Sequence, residues 1–167
     1  MLKRTALALL LAVLAAAPAA AQHTIFLVRH AERADAVPGA SPTMAADPDL
    51  SDAGRARAES LATALKDAKI TAIYVTEYKR TQQTAAPLAK ALGLTVTVLT
   101  SKSSAALVKQ LEAVKGNVLV VGHSNSVPDV IKGLGATAPV TIGDDEFDNL
   151  FIVTTGTPPS VLRLHYR

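Results

Sequence analysis

The sequence predicts one α/β domain, a three-layer α/β/α sandwich around a mostly parallel sheet. Three observations carry that expectation. Short apolar runs rich in β-formers alternate with segments whose apolar residues recur every three or four positions. The residues that follow an N-terminal leader are numerous enough for one sizeable core. No internal repeat and no low-complexity linker divides them.

The leader comes first. Lys3 and Arg4 are basic, Thr5 to Ala17 is apolar, Pro18 breaks the run, and Ala19-Ala20-Ala21 offers small residues for cleavage before Gln22. That order is the pattern of a secretory signal peptide, residues 1–21. The run falls short of the roughly 20 apolar residues a membrane span needs. The expected product is residues 22–167, exported to a periplasm or secreted, with no membrane anchor after cleavage.

The elements follow in turn. Thr24 to Val28 reads as a buried strand. Ser51 to Ala68 reads as a helix, capped by Ser51, with Ala58, Leu61, Ala62 and Leu65 on one face. Thr71 to Val75 is a second strand. Arg80 to Leu92 is a helix despite Pro87, stopped by Gly93. Leu94 to Leu99 is a third strand, Ser104 to Val114 a helix, Val118 to Val121 a fourth strand. A short helix follows Ser126 and ends near Gly133. Leu150 to Thr154 and Val161 to His165 form an antiparallel hairpin around Gly156, Pro158 and Pro159. Between Ala34 and Leu50 lies a long aperiodic stretch, of the kind that is usually functional or disordered in a compact domain.

Composition removes several function classes. The chain has 17 Lys+Arg against 14 Asp+Glu, and without Lys3 and Arg4 the balance is 15 against 14. A nucleic-acid binder should carry a clear basic surplus, so none is expected. The absence of cysteine excludes disulfides, thiol catalysis and Cys-based metal sites.

In open α/β sheets, ligands bind beyond the carboxyl ends of the strands. The first strand is followed by Arg29-His30-Ala31-Glu32, the second by Thr76-Glu77-Tyr78-Lys79-Arg80-Thr81, the fourth by Gly122-His123-Ser124-Asn125. Two histidines and two arginines therefore leave one sheet edge. Guanidinium forks match phosphate oxygens, and imidazole attacks a phosphoryl group or, when protonated, donates to it. Arg80 falls near a helix N-terminus, where a cation is unfavourable by about 0.3–1 kcal/mol unless an anion is bound there. The cluster fits a phosphate.

Leu27-Val28-Arg29-His30-Ala31-Glu32 resembles the N-terminal signature of the histidine phosphatase (phosphoglycerate mutase-like) superfamily. Thr76 to Ala85, with Arg80, Gln83 and Thr84, is similar to its second-arginine motif, and Val120 to Ser124 to its second-histidine motif. Ala31 stands where glycine is commonest. The resemblance implies a phosphoglycerate mutase-like fold of the short, single-domain kind. It implies His30 as a nucleophile that forms a phosphohistidine, with Arg29, Arg80 and His123 holding the phosphoryl group. No metal or organic cofactor is implied, because such transfer rests on positioning and electrostatics. The partner is a small phosphorylated substrate or a phosphoprotein, a phosphomonoester or a phosphohistidine.

The proton donor to the leaving group is less evident, since no Asp or Glu occurs from Ala85 to Leu111. Glu32, Glu77, Asp144, Asp145, Glu146 and Asp148 are candidates, and Glu146 is preferred because its loop precedes a strand that could bring it over the site. A phosphohistidine substrate, with its good leaving group, would need no dedicated acid. Arg33 and Asn125 are candidate substrate contacts, Asn125 also a candidate helix cap. Two other functions compete. Gly122-His123-Ser124-Asn125-Ser126 nearly reproduces a serine-hydrolase elbow, with Asp148 and His165 in triad order. A phosphate-binding module without turnover would keep the pocket and lack the acid.

Overall fold

The computed structural model describes residues 23–35 and 47–167. The leader and the middle of the Ala34–Leu50 stretch lie outside the described residues. Ten elements follow in the order β1 (Thr24–Arg29), α1 (Asp52–Leu65), β2 (Ile70–Thr76), α2 (Lys79–Leu92), β3 (Val96–Leu99), α3 (Ser104–Ala113), β4 (Asn117–Gly122), α4 (Ser126–Gly133), β5 (Asn149–Thr154) and β6 (Ser160–His165). The six strands form one sheet in the order β3-β2-β4-β1-β5-β6. Parallel pairing joins β3, β2, β4 and β1, whereas β5 and β6 run antiparallel as the closing hairpin.

Strand periodicity sorts the apolar side chains into two cores. Phe26, Val28, Leu119 and Val121 face the layer that holds Leu61, Leu65, Ala85 and Leu88 of α1 and α2. Ile25, Leu27, Val118 and Val120 face Leu111 of α3 and Val127, Val130 and Ile131 of α4. The middle strands are buried on both sides, which is why they read as unbroken apolar runs rather than as alternation.

Most boundaries agree with the sequence reading to within a residue or two, and the exceptions have local causes. The third strand starts at Val96 instead of Leu94. Gly93 takes a left-handed φ of 65°, and the Leu94 N–H bonds back to the Ala89 carbonyl at 2.9 Å. That helix closure consumes the first residues of the apolar run. The first helix ends at Leu65 rather than Ala68, whose N–H bonds to the Leu65 carbonyl at 3.0 Å in a final tight turn. Pro87 sits inside α2 without ending it.

The chain leaving β1 is pinned from three directions. The Ser51 N–H donates to the Glu32 carbonyl at 2.9 Å, and the Ser51 hydroxyl caps α1 by accepting from Gly54 N–H at 3.1 Å. The Ala31 N–H donates to the Thr84 hydroxyl at 3.0 Å, which itself donates to the Arg80 carbonyl. Farther along, Arg33 bridges Leu50, whose N–H donates to the Gln83 side chain at 2.8 Å. Gln83 and Thr84 thus fasten the β1 exit to α2.

Gly54 is where this packing is tightest. A Cβ there would lie 2.2 Å from the Glu32 carbonyl oxygen, itself already bonded to Ser51. Gly54→Ala is therefore expected to lower stability by about 1–3 kcal/mol, the usual cost of overpacking. Urea denaturation checks this, and an unchanged midpoint would contradict the close approach.

Candidate active site

The residues after β1, β2 and β4 line one open pocket of ≈ 440 Å³: Arg29, His30, Arg33, Tyr78, Arg80 and His123, with Ser101, Lys102, Ser124 and Asn125 at its margins. Adjacency of the strands brings the histidines together. Arg29 is in register with Gly122, and the His30 N–H extends the ladder by donating to the Gly122 carbonyl at 2.9 Å. The two imidazole rings stand edge to face, centroids 5.3 Å apart. One phosphoryl group, with contacts near 3 Å, can touch both.

His30 is buried, and its Nδ1 donates to the Ala31 carbonyl at 2.8 Å. A carbonyl can only accept, so the ring proton sits on Nδ1 and the lone pair on Nε2. Burial pushes the His30 pKa down to about 3, and the nearby charges of His123, Arg80 and Arg29 push the same way, against the Ala31 hydrogen bond. His123 is pushed down to about 4, by burial first and then by Arg80. Both rings are neutral at pH 7.

The two arginines are anchored through one part of the fork and open at another. Arg29 donates from one terminal nitrogen to the carbonyls of Gly143 (2.8 Å), Asp144 (2.7 Å) and Glu146 (3.3 Å), and its guanidinium lies 4.1 Å from the Phe147 ring. Arg80, in the first turn of α2, stacks 4.2 Å from the Tyr78 ring and reaches Asp47 only at 3.8 Å. The Nε of each is buried and has no hydrogen-bond partner among the described residues. Leaving a buried donor unmet is costly, more so on a charged group. An anion with several oxygens can bond the terminal nitrogens of both forks. The first N–H of α2, on Lys79, already donates to the Asp47 carboxylate at 2.9 Å.

His123 is held from both ends. Its N–H donates to the Ser126 hydroxyl at 2.9 Å, and its Nε2 meets the Thr76 hydroxyl at 3.1 Å. Ser126 takes the place of the last glycine in a serine-hydrolase elbow. Gly122 is needed for the turn, because a Cβ there would stand 2.8 Å from the Ser126 hydroxyl.

The other expected site residues differ in their surroundings. Glu146 lies in the loop held by Arg29, yet its carboxylate accepts from Gly143 N–H at 2.7 Å and pairs with Arg163 at 3.1 Å. The Gly143 hydrogen bond, with Arg163, holds it below the usual carboxylate range. It is an anchored anion, not a poised acid. Glu32 forms a bidentate pair with Arg57, Glu77 accepts from Ser101, and Asp148 pairs with His165 at 3.1 Å. Asn125 occupies the N-cap position of α4 but makes no cap bond, and its exposed side chain lies at the pocket margin. Arg33 lines the pocket with its fork committed to Asp35. As for the serine triad, His165 ends β6, three strand positions from β4 in the sheet. At about 4.8 Å per position, Ser124 and the Asp148–His165 pair are too far apart to bond.

Sequence reasoning passed over Tyr78, Phe147, Thr76 and Thr81. Thr76, Tyr78 and Thr81 fall within the Thr76–Ala85 motif, and that membership was the available signal. Phe147 stands inside an acidic run with nothing local to mark it.

With this geometry in place, a family comparison adds to it: residues 25–103 match the histidine phosphatase superfamily (branch 1). That match supports a place for the chain in the superfamily. No curated protein sequence matches significantly. Among solved structures, a mycobacterial glucosyl-3-phosphoglycerate phosphatase superposes with TM-score 0.64 at 15% identity, over 80% of this chain and 90% of that one. The protein histidine phosphatase SixA complexed with tungstate gives 0.62 at 20% identity, over 85% and 96%. A candidate alpha-ribazole-5'-P phosphatase of Escherichia coli gives 0.67 at 16% identity, over 86% and 96%. At such identities the likeness speaks for the fold.

The low histidine pKa values have a thermodynamic consequence. An unfolded histidine titrates near 6.5, but His30 and His123 stay neutral in the fold down to about 3 and about 4. As pH falls below about 6.5, the unfolded chain binds more protons than the folded one, so stability is full above that pH and is lost on acidification. Thermal melts between pH 7.5 and 5 should show this, with a shallower slope for His30→Ala. An equal slope in the variant would contradict the buried neutral imidazole.

Proposed function

We propose that this protein is a phosphohydrolase working through a phosphohistidine on His30, acting on phosphomonoesters or phosphohistidine. The observation that carries the reading is that the guanidinium groups of Arg29 and Arg80 line the same pocket as the His30 ring, whose Nδ1–H bond to the Ala31 carbonyl leaves the lone pair on Nε2. Nε2 attacks phosphorus, the bond to the leaving oxygen or nitrogen breaks, and the leaving group takes a proton from solvent. Water then attacks phosphorus and gives up a proton to solvent, the nitrogen–phosphorus bond breaks, and His30 regains its lone pair. Arg29, Arg80 and His123 balance the charge on the transferring group, supplying the electrostatic stabilisation that dominates such transfers.

Glu32, Glu77, Glu146 and Asp148 are committed to other partners, and the exposed Asp144 and Asp145 do not line the pocket, which favours substrates whose leaving group needs little help from an acid, such as phosphohistidine or an aryl phosphate. Arg33 and Asn125 are the substrate contacts beyond the phosphoryl group. Export belongs to the same reading. The mature chain begins at Gln22, and N-terminal sequencing of protein recovered outside the cytoplasm tests it.

Hydrolysis of an aryl phosphate in the presence of a chelator tests the activity. Acid-quenched protein given labelled substrate should carry acid-labile, base-stable label. His30→Ala should abolish label and turnover, and Ser124→Ala should leave both standing. Arg80→Ala should slow turnover by about 10²–10³-fold, the scale for losing one preorganised charge stabiliser. Turnover that survives His30→Ala would overturn the proposal. Phosphate that raises the melting temperature with no label on any substrate would favour a binding module instead.

A further inference from the structure

Below the pocket, one chain of hydroxyls has a direction fixed by hydrogen counting. Thr81 is fully buried in the first turn of α2. Its Oγ1 lies 3.0 Å from the Thr76 carbonyl, 2.8 Å from the Tyr78 carbonyl and 2.9 Å from the Thr76 hydroxyl. Thr81 owns one hydrogen, and the two carbonyls own none. Turned toward Thr76 Oγ1, that hydrogen would leave two oxygen–oxygen contacts at hydrogen-bond distance with nothing between them. It therefore goes to the carbonyls, and toward the Thr76 hydroxyl Thr81 can only accept.

The next link follows. Thr76 gives its single hydrogen to Thr81, so its remaining contact, 3.1 Å to His123 Nε2, is one in which the hydroxyl accepts. That requires a proton on Nε2 of His123. Around the ring stand Arg29 and His30 from the β1 exit, and Glu77, Tyr78 and Arg80 from the β2–α2 connection. None of them hydrogen-bonds a ring nitrogen of His123, and Nδ1 has no partner among the described residues. Thr76 alone sets the tautomer, and Thr81 sets Thr76.

We infer that Thr81 is a positioning residue which, through Thr76, locks His123 in its Nε2–H form and reserves Nδ1 as the nitrogen that gains a proton when a phosphoryl anion is bound. The role in turnover rests on the phosphohydrolase reading, whereas the tautomer does not. With Nε2–H already engaged, protonation at Nδ1 makes an imidazolium with one N–H on Thr76 and the other open to the anion. Were Thr81 unable to accept, the Thr76 hydrogen could turn to Nε2. His123 would then populate its Nδ1–H form and donate while neutral.

Long-range proton–nitrogen correlation spectra of the ¹⁵N-labelled protein at pH 7.5 read the tautomer in the resting state, with the His123 signals assigned by their loss in His123→Gln. The wild type should show a protonated Nε2 and an unprotonated Nδ1. Thr81→Val, which keeps the volume and removes the acceptor, should populate the Nδ1–H form, and Thr81→Ser should restore the wild-type pattern. In turnover, Thr81→Val should lower kcat by about 10-fold or more with KM nearly unchanged, the scale seen when the partner fixing a metal-bound imidazole is lost. Thr81→Ser should recover it. An Nδ1–H tautomer in the wild type, or a wild-type tautomer in Thr81→Val, would overturn the inference. If Thr81→Val does not fold, the wild-type spectrum decides alone. A protein with the expected tautomer but no phosphatase activity would instead fail the functional reading.

Discussion

Because β1 and β4 are neighbours in the sheet and run in the same direction, both chains leave one edge roughly 4.8 Å apart. Everything in the pocket depends on that pairing. The ladder continues one bond past β1, from the His30 N–H to the Gly122 carbonyl, so the first histidine is placed by sheet geometry rather than by a free loop. The second follows the glycine at the other end of that bond. β2, on the far side of β4, delivers Thr76 beneath His123 and starts the connection that carries Arg80. A one-residue slip of β1 would turn His30 to the opposite face and exchange its two cores. The alternation of Ile25 and Leu27 with Phe26 and Val28 resists that slip, since both faces are filled.

The cations are less comfortable, and their discomfort is informative. Burying a guanidinium is tolerable when its donors are met, and each arginine here falls short at Nε. Each is held flat by an aromatic ring, Phe147 under Arg29 and Tyr78 under Arg80, which offsets part of the desolvation while offering the Nε donors nothing. Arg29 also ties down the Gly143–Phe147 loop through three carbonyls. Two nearby carboxylates are engaged elsewhere, Glu146 with Arg163 and Asp148 with His165, and Asp144 and Asp145 are exposed. The charge of the pocket thus remains positive although five residues of the nearby loop include three carboxylates, Asp144, Asp145 and Glu146.

Elements and strand exits were legible in the sequence because both depend on short-range pattern: apolar runs, helical spacing, a capping Ser51 and a stopping Gly93. The chemistry-bearing residues were legible for the same reason, since Arg29, His30, Arg80 and His123 directly follow strands. What escaped was set by pairing between distant segments. Whether Glu146 is an acid or an anchored anion depends on Arg163, which lies on β6. Asn125 looked like a cap, but the adjacent Ser126 meets the turn's donor at the His123 N–H. The aromatic floor needed Phe147 to be brought across from the β5 side. No local pattern carries that information.

The depressed imidazoles bring the two themes together. A nucleophile must be unprotonated, and an ordinary histidine near neutral pH would be partly charged. Burial and the neighbouring cations keep His30 neutral, while the Ala31 carbonyl decides which nitrogen holds the lone pair. A ring with so low an affinity for protons would ordinarily be a poor nucleophile, since reactivity follows basicity. The bound anion changes that balance. Burial is the larger cause of both depressions, and the arginines add a smaller one. In the proposed reaction a phosphoryl group between Arg29 and Arg80 would offset that smaller, coulombic part, so the proton affinities of His30 and His123 would rise together while burial continued to hold both below an ordinary histidine.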